Sequence, residues 1–177
     1  MLYRKSIVIT TFMCLAFLSS SASALMLGLS TEKLTRDADL IITGDVENTS
    51  SQWTSDKKSI MTTAVISIRE IIKGKTVEKK IQVMYPGGEV GDIGMMVSDE
   101  APLHRGERVL LYLAPEHKFS GGSAYRISGR AQGKYTIGDD LVARKHGFSV
   151  SDQDKHVDNN IQVETLKEKI RAYVDEK

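Results

Sequence analysis

Four histidines, His104, His117, His146 and His156, are the side chains best suited to hold a metal or to move a proton near neutral pH. No two stand at the i, i+4 or short-loop spacing of a zinc site, and Lys118, Lys145 and Lys155 sit beside three of them with charge that opposes a cation. They read as loop histidines. Asp152, Asp154, Asp158 and Asn160 have some of the rhythm of a calcium loop, but that loop needs Gly at its sixth position and Glu at its twelfth. Here those positions are Val157 and Val163, with Glu164 one residue late, so the stretch reads as a solvated acidic loop. Nucleophilic catalysis has no Gly-x-Ser-x-Gly elbow to work from, since Gly121-Gly122-Ser123 lacks the second half of the motif. Asp99-Glu100 and Asp139-Asp140 are adjacent pairs that point apart in extended chain and suit turns. No catalytic residue, metal ligand or cofactor is assigned.

The most distinctive stretch is Pro86-Gly87-Gly88-Glu89-Val90-Gly91-Asp92-Ile93-Gly94. Its glycines permit positive φ or close approach of a partner to the backbone. A phosphate loop is excluded, because the Gly-Lys-Ser or Gly-Lys-Thr that opens its helix is missing. Trp53, with Tyr85 and Met95-Met96, supplies an adaptable apolar complement. The candidate partner-binding surface is therefore Trp53, Tyr85, Pro86, Gly87, Gly88, Gly91 and Gly94, with core packing the competing use of its apolar members.

Those residues need elements to hold them. Ser30-Thr31-Glu32 predicts an N-capped short helix running through Leu34 to Ala38, placed to cover one end of a sheet. Leu40 to Val46 then has strand character, and Gly44 inside it marks a bulge or sharp bend. Ser50 to Lys58 reads as polar turn material around Trp53. Ile60, Thr62, Ala64, Ile66 and Ile68 alternate onto one face of a strand that continues to Ile72, the long bent partner of the strand before it. Further strands are predicted at Lys80 to Tyr85, Arg108 to Leu113, Ala124 to Ile127 and Gln132 to Ile137. Leu141-Val142-Ala143 completes a hairpin across Gly138-Asp139-Asp140. Val163, Leu166, Ile170 and Val174 recur at helical spacing and predict an amphipathic closing helix. Short strands with glycine turns indicate a mainly β fold, a small antiparallel OB-like barrel with a short N-terminal helix and a C-terminal helix packed on it.

Compartment follows from the first 24 residues. Arg4-Lys5, the apolar run Ile7 to Leu18 and the small-residue site Ala22-Ser23-Ala24 read as a secretory signal peptide cleaved before Leu25. The run is broken by Thr10-Thr11 and Ser19 to Ser21, unlike a membrane span. Of the 177 residues this leaves 153, one domain of ordinary size. The expected division is signal peptide 1–24, β-barrel domain 25–150, polar loop 151–160 and closing helix 161–177. Removing Arg4 and Lys5 leaves 22 basic residues against 23 acidic, a balance that excludes nucleic acid as the main partner. The single cysteine, Cys14, lies inside the leader, so the mature chain is expected to fold without disulfides or a lasting membrane anchor.

The stretch Ala38-Asp39-Leu40-Ile41-Ile42-Thr43-Gly44-Asp45-Val46, a loop containing Trp53, and a long strand ending in Ile71-Ile72-Lys73-Gly74 together resemble the netrin-module and tissue-inhibitor-of-metalloproteinase type of OB-fold barrel. The chain is also similar to small exported bacterial domains with Pro-Gly-Gly after the next strand and a Gly-Glu-Arg-Val-Leu-Leu-Tyr-Leu strand, here Gly106 to Leu113. The resemblance covers about residues 30–138 and implies fold more than activity. Those inhibitors chelate a protease's zinc through an N-terminal cysteine. A mature chain starting at Leu25 has none, so that mechanism is not implied.

The functional expectation is an exported, non-enzymatic binding or accessory module, periplasmic or secreted, whose partner is an envelope or extracellular protein. A second expectation, from a different class, is an envelope hydrolase or metal-dependent enzyme whose site assembles only in three dimensions. Converging histidines with a carboxylate would favour the enzyme, and an exposed aromatic or apolar patch the binding module.

Overall fold

The computed structural model describes residues 27–117, 124–146 and 157–176. The signal segment Met1 to Ala24, the cleavage point at Leu25, Cys14, Gly121-Gly122-Ser123, Asp152, Asp154 and His156 lie outside the described residues. In chain order the elements are α1 (Thr31–Asp37), β1 (Leu40–Trp53), β2 (Ile60–Lys73), β3 (Lys80–Pro86), β4 (Gly88–Val90), β5 (Ile93–Met95), β6 (Arg108–Glu116), β7 (Ala124–Ile127), a 3-10 turn (Arg130–Gly133), β8 (Lys134–Ile137), β9 (Val142–Arg144), β10 (Ile161–Gln162) and α2 (Val163–Asp175). The fold is mainly β.

The large sheet has the order β1-β2-β3-β7-β6-β8-β9-β10, and β6 also pairs with β1, so part of the sheet returns on itself. The expectation of a wholly antiparallel sheet is corrected here: β3 and β7 run parallel, with Gln82 opposite Ala124 and Val83 opposite Tyr125. The reason is arithmetic. Passing through β1, β2, β3, β7 and β6 visits five strands, and a closed circuit of an odd number cannot alternate direction at every step. One edge of β6 carries β1, while the other is shared by β8 against Val109 to Leu111 and β7 against Leu113 to Glu116.

β1 and β2 are the long hairpin the alternation predicts, paired from Ile41 with Lys73 to Trp53 with Ile60. Three register shifts bend it, one of them between Thr43 and Gly44. A Cβ on Gly44 would stand 2.6 Å from the carbonyl oxygen of Ser67 and 2.7 Å from the side chain of Ile66, so only glycine lets the two strands approach there. β1 runs on to Trp53, and only residues 54–59 turn, which shortens the loop expected from Ser50 to Lys58.

Strands buried on both faces explain the unbroken apolar runs at Leu40-Ile41-Ile42 and Val109 to Leu113. Leu40, Ile42, Val46, Ala64, Ile66, Ile81, Val83, Val109, Leu111 and Leu113 form an inner cluster, between the strands of the returning sheet. Ile41, Leu110, Tyr112, Tyr135 and Ile137 point the other way and are covered by Leu34 of α1 and by Val163, Leu166 and Ile170 of α2. Burying such side chains is worth roughly 1.5 to 3 kcal/mol each. Ser30 caps α1 as predicted, accepting from the Lys33 amide at 3.1 Å. Lys73 of β2 donates to the Thr35 carbonyl at 2.6 Å and to the Ala38 carbonyl at 2.5 Å, at the C-terminal end of α1 where a cation is favoured. Glu70 ties α2 to β2 through Lys167 at 2.7 Å and Arg171 at 2.6 Å. No helix among the described residues is long and apolar enough to cross a membrane.

Candidate functional site

The turn joining β1 to β2 is built to hold its shape. Thr54 donates from its backbone to the Ser59 carbonyl at 2.8 Å and from its hydroxyl to Asp56 at 2.6 Å, and receives the Ser59 amide at 3.1 Å. Lys57 adopts a positive φ of 55° to close it. The Thr54 hydroxyl and the Lys58 amide hold the Asp56 carboxyl below its ordinary range. Trp53, the residue before this turn, stands opposite Ile60 and remains 37% exposed, while Ile60 is buried. A rigid turn thus presents a large aromatic ring at the tip of the longest hairpin.

Beneath that tip is a cleft of about 900 Å³. Its apolar lining includes Trp53, Met61, Met84 and Pro86, and its polar rim includes Asp56, Glu100, Glu116, Arg126 and Arg130. Burial pushes the Glu100 carboxyl up, Arg130 pulls it down and Asp99 pushes it up again, with burial the largest of the three. Rim charges of both signs around an apolar floor suit a polypeptide, which offers apolar side chains and charged groups together. The volume lies in the range of small-molecule sites too.

The predicted site residues separate into three groups. Trp53 and Pro86 line the same cleft. Tyr85 is buried in the inner cluster, where its hydroxyl donates to the Leu103 carbonyl and accepts the Leu103 amide, each at 3.2 Å, and burial raises its pKa. The glycine run is a short hairpin, β4 and β5, with Gly91-Asp92 at its turn. Gly88 has φ of 125°, and a Cβ there would come within 2.2 Å of the Thr62 hydroxyl and 2.4 Å of the Ser51 hydroxyl. Thr62 in turn donates to the Gly87 carbonyl at 2.6 Å. Gly87 and Gly88 therefore serve the packing of this hairpin against β1 and β2, whereas Gly91 and Gly94 are exposed and lie outside the cleft lining.

Arg126 and Arg130 were not singled out from the sequence, and Glu100 was read with Asp99 as turn material. Arg126 falls inside the strand predicted at Ala124 to Ile127 and Arg130 just after it, so only long-range folding brings the three to one rim. His104, His117 and His146 are each exposed, and among the described residues no group of three His, Cys, Asp or Glu side chains is placed to hold a metal ion.

A second polar cluster lies under the helices. Lys145 is 5% exposed, and its ammonium has no hydrogen-bond partner among the described residues and stands 4.6 Å from the centre of the Tyr135 ring. Burial pulls its pKa down to about 8, against a smaller upward pull from Asp158. Tyr135 donates to the Asp158 carbonyl at 2.9 Å, and the Asp158 carboxylate accepts from Thr31 at 2.7 Å and Lys169 at 2.6 Å. The Tyr112 hydroxyl, its ring centre 6.4 Å from that of Tyr135, has no hydrogen-bond partner among the described residues. Burial raises the pKa of both tyrosines. This cluster joins α1, β6, β8 and the entry to α2.

No family model matches the chain, and a comparison with curated proteins finds no match either.

Proposed function

We propose that the chain is an exported, non-enzymatic binding module that holds a segment of an envelope or extracellular protein in the cleft beneath Trp53. The observation that carries this reading is a partly exposed tryptophan, fixed by a hydrogen-bonded turn beside Met61, Met84 and Pro86 and facing a rim of mixed charge. Aromatic anchors dominate many interfaces because a rigid ring removes much area from water with few rotamers to freeze. Within this reading the returning sheet is a small OB-like barrel of the netrin-module and tissue-inhibitor type. Support comes from the five-strand circuit β1-β2-β3-β7-β6, its one parallel pair, and the pairing of Ile41-Ile42 with Ile71 to Lys73. The protein is read as periplasmic or secreted from the residue order of its first 24 positions.

The test is capture of partner from an envelope extract by the secreted protein and by its Trp53→Ala variant. Trp53→Ala should lose capture with unchanged circular dichroism. Undiminished capture by a folded Trp53→Ala protein would place the contact elsewhere.

A further inference from the structure

Among the described residues, the outer half of β1 has a partner strand on one edge only. It pairs with β2 as far as Trp53 but with β6 only from Leu40 to Asp45, and the last bonds on that side join Val46 to Glu107 and Gly106. From Asn48 to Trp53 no backbone hydrogen bond between described residues reaches this second edge. In an antiparallel ladder alternate residues aim their N–H and C=O away from the neighbouring strand, so the stretch offers a row of unpaired donors and acceptors. Proteins usually blunt such edges with charge, proline, a bulge or shortness. The comparable end of β2, Ile68 to Lys73, is blunted by Arg69, Glu70 and Lys73, and Glu70 is tied to α2. Asn48-Thr49-Ser50-Ser51-Gln52 carries no charge and no proline, and its pairing with β2 runs without a register shift from Asn48 onward.

We propose that this edge is a contact between two copies of the chain, paired antiparallel about a two-fold axis at Ser50 so that the sheet of one continues into the other. Residues opposed in such a pair must aim their backbone groups the same way, so the axis passes through a residue rather than between two. Ser51 is engaged with Thr62 at 2.8 Å, whereas Ser50 is exposed and shares its face with exposed Asn48 and Gln52. Centring on Ser50 sets Asn48 opposite Gln52, Thr49 opposite Ser51 and Ser50 opposite itself. Every pair is uncharged and able to hydrogen-bond, so the like-charge repulsion that normally prevents self-pairing is absent. The nearest charge, Glu47, is bonded to Lys80 at 2.6 Å. Self-complementarity of this kind is what an isologous interface requires.

Cysteine cross-linking tests the contact and its register together. Cys14 is the chain's single cysteine, so Cys14→Ser in the full chain gives a thiol-free background. Opposed residues have Cα atoms about 4.5 to 5.5 Å apart, inside the roughly 4.4 to 6.8 Å that a disulfide spans. Ser50→Cys should form a covalent dimer under mild oxidation on the order of tenfold or more faster than Asp139→Cys, an exposed turn position that reports random collision. Sedimentation velocity of the Cys14→Ser chain should show a concentration-dependent dimer, and Ser50→Lys should shift it to monomer with native circular dichroism. If Ser50→Lys does not fold, the cross-linking comparison decides. Equal cross-linking at Ser50 and Asp139, or a monomer at the highest soluble concentration of the Cys14→Ser chain, overturns the proposal. The edge would then be left to another protein's strand, or to none.

Discussion

The two halves of β1 live in different solvents. From Leu40 to Val46 the strand has β2 on one edge and β6 on the other, the inner cluster under one face and the helices over the opposite one. From Asn48 to Trp53 it keeps β2 alone, and most of its side chains meet water. The first half supplies burial and anchors the fold. The second half supplies an exposed ring, a rigid turn and free backbone groups at little cost to stability, because the packing that holds it lies a few residues back. The proposed binding site falls in the open half, whose groups are positioned by a scaffold but not consumed by it.

The comparison breaks most readily under truncation. Ile170→Ala, which empties a fully buried position between α2 and the sheet, should cost roughly 2 to 5 kcal/mol in urea unfolding. Trp53→Ala, at a position 37% exposed, should cost less, roughly 1 to 2 kcal/mol. Equal losses would mean that the tip is part of the core.

The pH dependence sharpens the account of the helix-covered half. Lys145 has its pKa lowered from 10.5 to about 8 by burial, so between those values the unfolded chain binds a proton that the folded chain has released. Stability should rise across that window, and Lys145→Met should be more stable than the parent at pH 7 by about 3 kcal/mol, at roughly 1.4 kcal/mol per pKa unit. The gain should fade as pH approaches 10.5. Above about pH 10 the raised pKa values of Tyr112 and Tyr135 reverse the trend, because the unfolded tyrosines ionise first. Urea titrations of parent and variant from pH 7 to 11 read both slopes.

Two glycines of the β4–β5 hairpin should respond unequally. Gly88→Ala meets Thr62 and Ser51 at a positive φ and should cost roughly 1 to 3 kcal/mol. At Gly91, where φ is 60° and nothing lies within 4 Å, alanine should cost about 1 kcal/mol. Thermal unfolding of the pair checks the order. Smallest is Lys169→Ala, which removes a largely exposed bond to Asp158 and should change stability by roughly 0.2 to 1 kcal/mol.

Much of the scaffold was legible because burial writes itself into residue spacing. The alternation of β2, the Ser30 cap, the β8–β9 hairpin with Ile137 opposite Ala143, and the stripe Val163, Leu166 and Ile170 all carry their partner surface in their period. The extension of β1 through Asn48-Thr49-Ser50-Ser51-Gln52 was not legible, since a half-free strand with little core beneath it has no alternation to display. The parallel pairing of β3 with β7 is a property of chain tracing, which local pattern does not encode. Lys145 stands between Arg144 and His146 and looks like surface, and only the fold brings it over Tyr135. Of the candidate site, Trp53 and Pro86 were marked by residue type, while Tyr85 and Gly88 were drawn in by neighbours in sequence and belong to packing.

The most direct test of the central claim uses the fact that Trp53 is the chain's single tryptophan. Its emission reports the hairpin tip above the cleft. Partner purified by capture should shift that emission to the blue on titration, as the ring leaves water, with saturation at the stoichiometry of capture. Binding that saturates with no change in Trp53 emission, and that Trp53→Ala leaves intact, would contradict the account.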